Sequence, residues 1–169
     1  GSCSYPGGTC ETAVALTLPL VDVAGDTAGF GDDYSASPCS NSYIRGDDYV
    51  GTFTLDSDSY LSGSIAGDGS TSYPYLGMHI TSGCVDVATD CAAAATGSAG
   101  GSFSDVLLSA GTYYLTISTY AAPQTAAYIL NLSADAVVEG CLDQNAENFN
   151  PLANISCADA DADGIGDCC

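Results

Sequence analysis

Five oxygen donors recur at short, regular spacing near the C-terminus: Asp159, Asp161, Asp163 and Asp167, with the Ile165 carbonyl among them. Carboxylates at loop positions 1, 3 and 5, a glycine at 6 for the sharp turn, a backbone carbonyl at 7 and a carboxylate at 9 supply the hard oxygens that Ca²⁺ prefers. A position-12 acid would fall beyond Cys169, so water, another segment or a neighbouring chain would complete the sphere. The plainer alternative is a solvated acidic tail. Asp32, Asp33, Asp47 and Asp48 offer a further cluster of carboxylates, for which acidic turns are the simpler explanation.

Sulfur is the second chemistry. Nine cysteines without a CxxC pair point to disulfides in an oxidising compartment rather than to zinc. By proximity in sequence, Cys84 pairs with Cys91, Cys10 with Cys39, and Cys141 with Cys157, although spacing alone does not fix connectivity. Cys3, Cys168 and Cys169 are left over. Adjacent cysteines bridge each other only with strain, so Cys168 and Cys169 should find separate partners. The odd total requires a free thiol or an intermolecular disulfide, with a link between the tail of one chain and the head of the next as the sharper reading.

Modification sites come next. Asn131 and Asn154 each open an Asn-X-Ser sequon, and Asn131, alternating with Leu130 and Leu132, is expected to face solvent. Catalytic constellations are scarce. His79 is the sole histidine, expected on the exposed face of a strand opposite Leu76, Met78 and Ile80, and no nucleophile elbow, phosphate-binding glycine loop or HExxH motif occurs. Arg45-Gly46-Asp47 reads as an adhesion tripeptide by coincidence.

Composition narrows the partners. With 21 Asp or Glu against Arg45 alone, the formal net charge is −20, which disfavours nucleic acid and anionic membrane surfaces and favours bound cations. No apolar run approaches the roughly 20 residues of a membrane-spanning helix.

From Ala13 to Ala134, short apolar or alternating runs are separated by Gly, Ser and Asp turns, predicting an all-β chain. Candidate strands are Ala13–Leu18, Tyr49–Leu55, Tyr60–Ile65, Tyr75–Ile80, Val85–Thr89, Phe103–Ser109, Tyr113–Ile117 and Tyr128–Leu132. Eight strands suit a jelly-roll-like antiparallel β-sandwich. Within Tyr49–Leu55, the residues Tyr49, Phe53 and Leu55 share one face; Tyr113, Leu115 and Ile117 do the same in theirs. The sandwich is expected over residues 1–136. Residues 137–169, rich in Asn, Asp and Cys, hold too few core residues to fold without disulfides or ions and read as a small appendage.

The stretches Thr9-Cys10-Glu11-Thr12-Ala13, Gly25-Asp26-Thr27-Ala28-Gly29, Gly46-Asp47-Asp48-Tyr49-Val50-Gly51-Thr52-Phe53, Cys84 to Cys91 and Ala110-Gly111-Thr112-Tyr113-Tyr114-Leu115, in that order, resemble the bacterial pre-peptidase C-terminal domain. That resemblance implies a secreted, non-catalytic β-sandwich module. Gly140-Cys141 through Asn148-Phe149-Asn150-Pro151 to Cys157 is similar to a Cys-bracketed segment of secreted Bacteroidetes-type proteins, and Asp159 to Asp167 resembles one thrombospondin type-3 calcium repeat. Asp26-Thr27-Ala28 resembles a Bacteroidetes O-glycosylation motif, making Thr27 a third candidate glycan site.

Two functions follow as expectations. The first is an extracellular or cell-surface structural protein, a homo-oligomer or head-to-tail filament secured by calcium and disulfides, with edge strands open to addition. The alternative is a non-catalytic carbohydrate- or protein-binding module of a larger secreted enzyme, in which exposed tyrosines would stack on sugars.

Overall fold

The computed structural model describes residues 5–40, 42–120, 124–160 and 166–169. The chain divides into two compact units, Gly1–Ala134 and Asp135–Cys169.

The first unit is all-β apart from one 3₁₀ turn, Cys10–Thr12. Its strands are β1 (Val14–Ala15), β2 (Leu20–Asp26), β3 (Tyr49–Leu55), β4 (Ser59–Gly67), β5 (Leu76–Thr81), β6 (Ala93–Gly97), β7 (Gly100–Leu108), β8 (Gly111–Thr119) and β9 (Ala127–Ala136). They form two sheets, β1-β3-β8-β5-β6 and β2-β9-β4-β7. With the two-residue parallel edge strand β1 set aside, each sheet has four strands, and every step along the chain from β2 to β9 except β5 to β6 changes sheet. Two four-stranded antiparallel sheets with these crossovers make a jelly roll, as expected.

Period-two alternation explains the core between the sheets. Phe53 and Leu55 of β3, Leu61 and Ile65 of β4, Met78 and Ile80 of β5, Leu115 and Ile117 of β8, and Leu130 and Leu132 of β9 are all buried in it. Phe53 and Tyr113, paired across β3 and β8, stack with ring centroids 5.8 Å apart.

The central part of the outward face of the five-stranded sheet is buried as well, around Val50, His79, Thr116 and Ser118. The long 27–48 connection and the 82–92 connection contribute Tyr34, Ile44 and Val85, which pack with Val50 into a second apolar cluster. Val85–Thr89 is therefore a turn whose first side chain is an anchor, not a strand. Two disulfides, Cys10–Cys84 and Cys39–Cys91, tie this covering layer together. They replace the expected Cys84–Cys91 and Cys10–Cys39 pairings, because the fold brings distant loops together over one sheet.

The second unit has a two-stranded parallel sheet, β10 (Glu139–Gly140) with β11 (Ile155–Ser156), and two disulfides, Cys141–Cys169 and Cys157–Cys168. Cys168 and Cys169 do take separate partners, but both partners lie in the same chain, which corrects the Cys141–Cys157 pairing and removes these two from an intermolecular link. Cys3 lies outside the described residues.

Candidate functional site

The fold puts the chain's reactive side chains under cover. β5 lies between β8 and β6, and all six of its residues are buried, so His79 is sealed beneath the 27–48 layer rather than exposed. Strand alternation correctly separates it from Leu76, Met78 and Ile80, but both faces of β5 are covered. Gly77, two residues earlier on the same face, marks how closely the layer approaches: a Cβ there would lie 2.6 Å from the Tyr43 Cβ and carbonyl oxygen.

His79 Nδ1 lies 2.6 Å from Ser37 Oγ, and its Nε2 makes no well-formed hydrogen bond among the described residues. Burial lowers its pKa to about 4, the Tyr43 carbonyl opposing this only in part, so the ring is neutral at pH 7. Directly across the strand pair stands Thr116, also buried with an unpartnered hydroxyl. Asp48 completes the polar strip. Its Oδ2 accepts hydrogen bonds from the Asp33 and Tyr34 amides at 3.0 and 2.8 Å, while Oδ1 makes no well-formed hydrogen bond among the described residues. Burial raises its pKa to about 7 against the lowering effects of the Ser118 hydroxyl and those amides. Asp48 thus fastens the covering loop to the sheet.

The tripeptide at Arg45 is built into the same closure. Gly46 is buried and exchanges hydrogen bonds with the Ser118 hydroxyl, and the Asp47 carboxylate accepts from the Gly29 amide at 2.8 Å.

Two of the three candidate glycan sites hold the fold together. Thr27 is fully buried, its hydroxyl accepting from the Ala126 amide at 3.1 Å, so the folded chain does not present it as an acceptor. Asn131 is half-buried and bonded in both directions to Asp22, accepting from its amide at 2.8 Å and donating to its carboxylate at 3.3 Å. Asn154 is exposed, yet its amide group accepts from the Val138 amide and donates to the Ala136 carbonyl, both at 2.8 Å. Asp22, at φ 49°, coincides with the register shift in β2, which bends this edge away from regular strand addition.

Of the calcium candidates, Asp161, Asp163 and Ile165 lie outside the described residues. Asp159 and Asp167 are exposed at the two ends of the loop. The Asp167 amide donates to the Ala158 carbonyl at 2.8 Å and its carboxylate accepts from the Ala160 amide at 3.0 Å, while Cys157–Cys168 closes the base.

One surface feature combines exposure with order. Tyr73, Tyr75 and Tyr120 are 64%, 38% and 49% exposed, and with half-buried Tyr43 they form a series of touching rings. Centroids are 6.2 Å apart for Tyr73–Tyr75, 5.9 Å for Tyr75–Tyr120 and 5.6 Å for Tyr120–Tyr43. Tyr75 precedes β5 and Tyr120 follows β8, and the pairing of Leu76 with Thr119 brings those strand ends together. The Tyr75 amide donates to the Ser98 carbonyl at 2.9 Å, and its carbonyl accepts from the Tyr120 amide at 3.0 Å. Tyr75 holds φ 50°, an unusual conformation for a bulky residue. No short motif announces this ribbon, because its members are brought together by the sheet and the loop that covers it. Elsewhere, a shallow groove of about 370 Å³ on the four-stranded sheet is lined by Ser62, Ser64, Ser102, Ser104 and Asn131 among others.

The chain is similar in structure to a pre-peptidase C-terminal domain. That structure is the domain of a collagenase from Bacillus anthracis, with TM-score 0.42 and 14% identity over 72% of this chain and 94% of that one. A periplasmic inhibitor of g-type lysozyme from Aeromonas hydrophila has TM-score 0.43 and 12% identity over 72% and 95%. No family model and no curated protein matches the sequence. The four disulfides mark a chain of an oxidising compartment, secreted or in the cell envelope. Among the described residues no helix is long and apolar enough to cross a membrane.

Proposed function

We propose that the chain is a non-catalytic extracellular binding module, with the tyrosine ribbon as its recognition face. The ribbon carries this reading: it gathers exposed aromatic surface in one place, with backbone hydrogen bonds at Tyr75 and Tyr120, whereas scattered exposed apolar residues need no explanation. The polar strip supports the absence of catalysis. Its imidazole is neutral, buried and without a described carboxylate to orient it, unlike an activated nucleophile–base pair.

In the same reading the appendage binds Ca²⁺. Asp159 and Asp167 would contribute carboxylates, and Asp161, Asp163 and the Ile165 carbonyl the remaining oxygens. A bound ion would supply charge neutralisation and loop order. Assembly into a fibre would now rest on Cys3 and on surfaces other than the bulged β2 edge, so the binding-module reading is the better supported.

The test is retention of the whole chain on a panel of immobilised matrices: uncharged polysaccharides, pectate, gelatin and fibrinogen. Retention on at least one, reversed by the same matrix in soluble form, is expected. Passage through all of them at the rate of an inert protein of equal size overturns the reading.

A further inference from the structure

We infer that the ribbon Tyr73, Tyr75, Tyr120 and Tyr43 binds an extended, uncharged polysaccharide by stacking its rings on the C–H faces of successive sugars. The inference rests on the binding-module reading and names the ligand class for that face. Four observations lead to it.

The rings touch in sequence rather than all around one centre, so together they offer a strip instead of a pit. A strip suits a polymer better than a single small molecule, which is ordinarily enclosed in a cavity. The tyrosines also suit an amphipathic partner: each ring gives rigid apolar area at low entropic cost and a hydroxyl at its edge. A sugar likewise presents apolar C–H patches bordered by hydroxyls.

Charge selects among polysaccharides. At net −20, with Arg45 the only Lys or Arg, the chain repels uronate- or sulfate-bearing polymers and offers almost nothing to pair with them. An uncharged chain meets no such barrier.

Order is the third observation. The Ser98–Tyr75–Tyr120 backbone bonds, extended by the Gln124 side-chain amide donating to the Pro74 carbonyl at 2.9 Å, hold the central rings before any ligand arrives. Preorganisation of this kind reduces the ordering cost of binding. The fourth is the backbone of Tyr75. A tyrosine at φ 50° where glycine or asparagine would be relaxed is a local cost, and such costs cluster at functional sites.

Affinity electrophoresis of the full chain through gels containing hydroxyethyl cellulose, xyloglucan, galactomannan or pectate tests this, alongside retention on gelatin and fibrinogen. Retardation by at least one uncharged polymer and none by pectate is expected. Y73A/Y120A should weaken it by about tenfold or more, the loss of a little over 1 kcal/mol of aromatic contact. Y73F/Y120F, which keeps the rings, should stay within about threefold of the parent. Circular dichroism of each variant establishes that the sandwich is intact. Retention on a protein matrix with no retardation by any uncharged polymer overturns the inference and leaves the binding-module reading standing. Binding to nothing overturns both. Retardation unchanged in Y73A/Y120A removes the ribbon as the site.

Discussion

His79 and Asp48 are shifted by the same cause, removal from water, yet with opposite consequences for the pH dependence of folding. The His79 pKa falls to about 4, so below the ordinary value of 6.5 the unfolded chain takes up a proton that the folded one refuses. Its contribution is complete above pH 6.5 and is lost as pH falls toward 4. The Asp48 pKa rises from 3.8 to about 7, so the folded chain holds a proton that the unfolded one releases. That contribution is complete below pH 3.8 and is lost as pH rises through 7. Between pH 4 and 6.5 the two oppose each other. In urea denaturation, the stability of the parent relative to D48N should therefore fall on the order of 4 kcal/mol from pH 4 to pH 7.5. Relative to H79Q it should rise over pH 4 to 6.5. A D48N difference that is flat with pH would show that the Asp48 carboxyl is ordinary. Neither shift is readable from sequence, since each depends on the layer that covers the strand.

At the scale of elements, alternation served best where strands are long and patterned. Tyr49–Leu55 was legible to the residue, and the inward sets Phe53, Leu55 and Tyr113, Leu115, Ile117 lie in the core. β2 escaped detection because its irregular register leaves Val21 and Val23 exposed, at 68% and 40%, within Leu-Val-Asp-Val-Ala-Gly-Asp. β6 escaped because Ala93-Ala94-Ala95-Thr96-Gly97 carries almost no apolar contrast, although Ala93 and Ala95 are buried. The same limit hid the ribbon: Tyr73 and Tyr75 are neighbours in sequence, but Tyr120 reaches them through the pairing of β5 with β8 and Tyr43 through the covering 27–48 connection. Disulfide connectivity was equally non-local. Cys10–Cys84 closes 74 residues and fastens the 82–92 layer to the N-terminal segment, so its loss frees a long loop in the unfolded chain. C10S/C84S should lose about 2–5 kcal/mol of unfolding free energy in guanidinium titrations. A cost under about 0.5 kcal/mol would show that the covering layer holds without it.

The whole molecule joins two solutions to the problem of staying folded with a net charge of −20. The sandwich buries a two-sheet core and a second apolar cluster on its outer face. The unit Asp135–Cys169 has no comparable apolar store; Cys141, itself in a disulfide, is its one buried hydrophobic residue among those described. Small units of this kind depend on crosslinks or ions. Two disulfides are in place, and Asp159 and Asp167 flank a stretch whose sequence adds the carboxylates of Asp161 and Asp163; on the calcium reading a bound ion would draw these oxygens together. Calcium at 100 times its dissociation constant should therefore stabilise this unit by about 2.7 kcal/mol. Amide hydrogen exchange locates the effect: Asn154 to Cys157 and Asp167 to Cys169 should slow with calcium and recover their rates with chelator, while β3, β5 and β8 remain unchanged. D161N/D163N should abolish the response with all four disulfides intact. Equal exchange with and without calcium at millimolar concentration would leave the appendage stapled by sulfur alone.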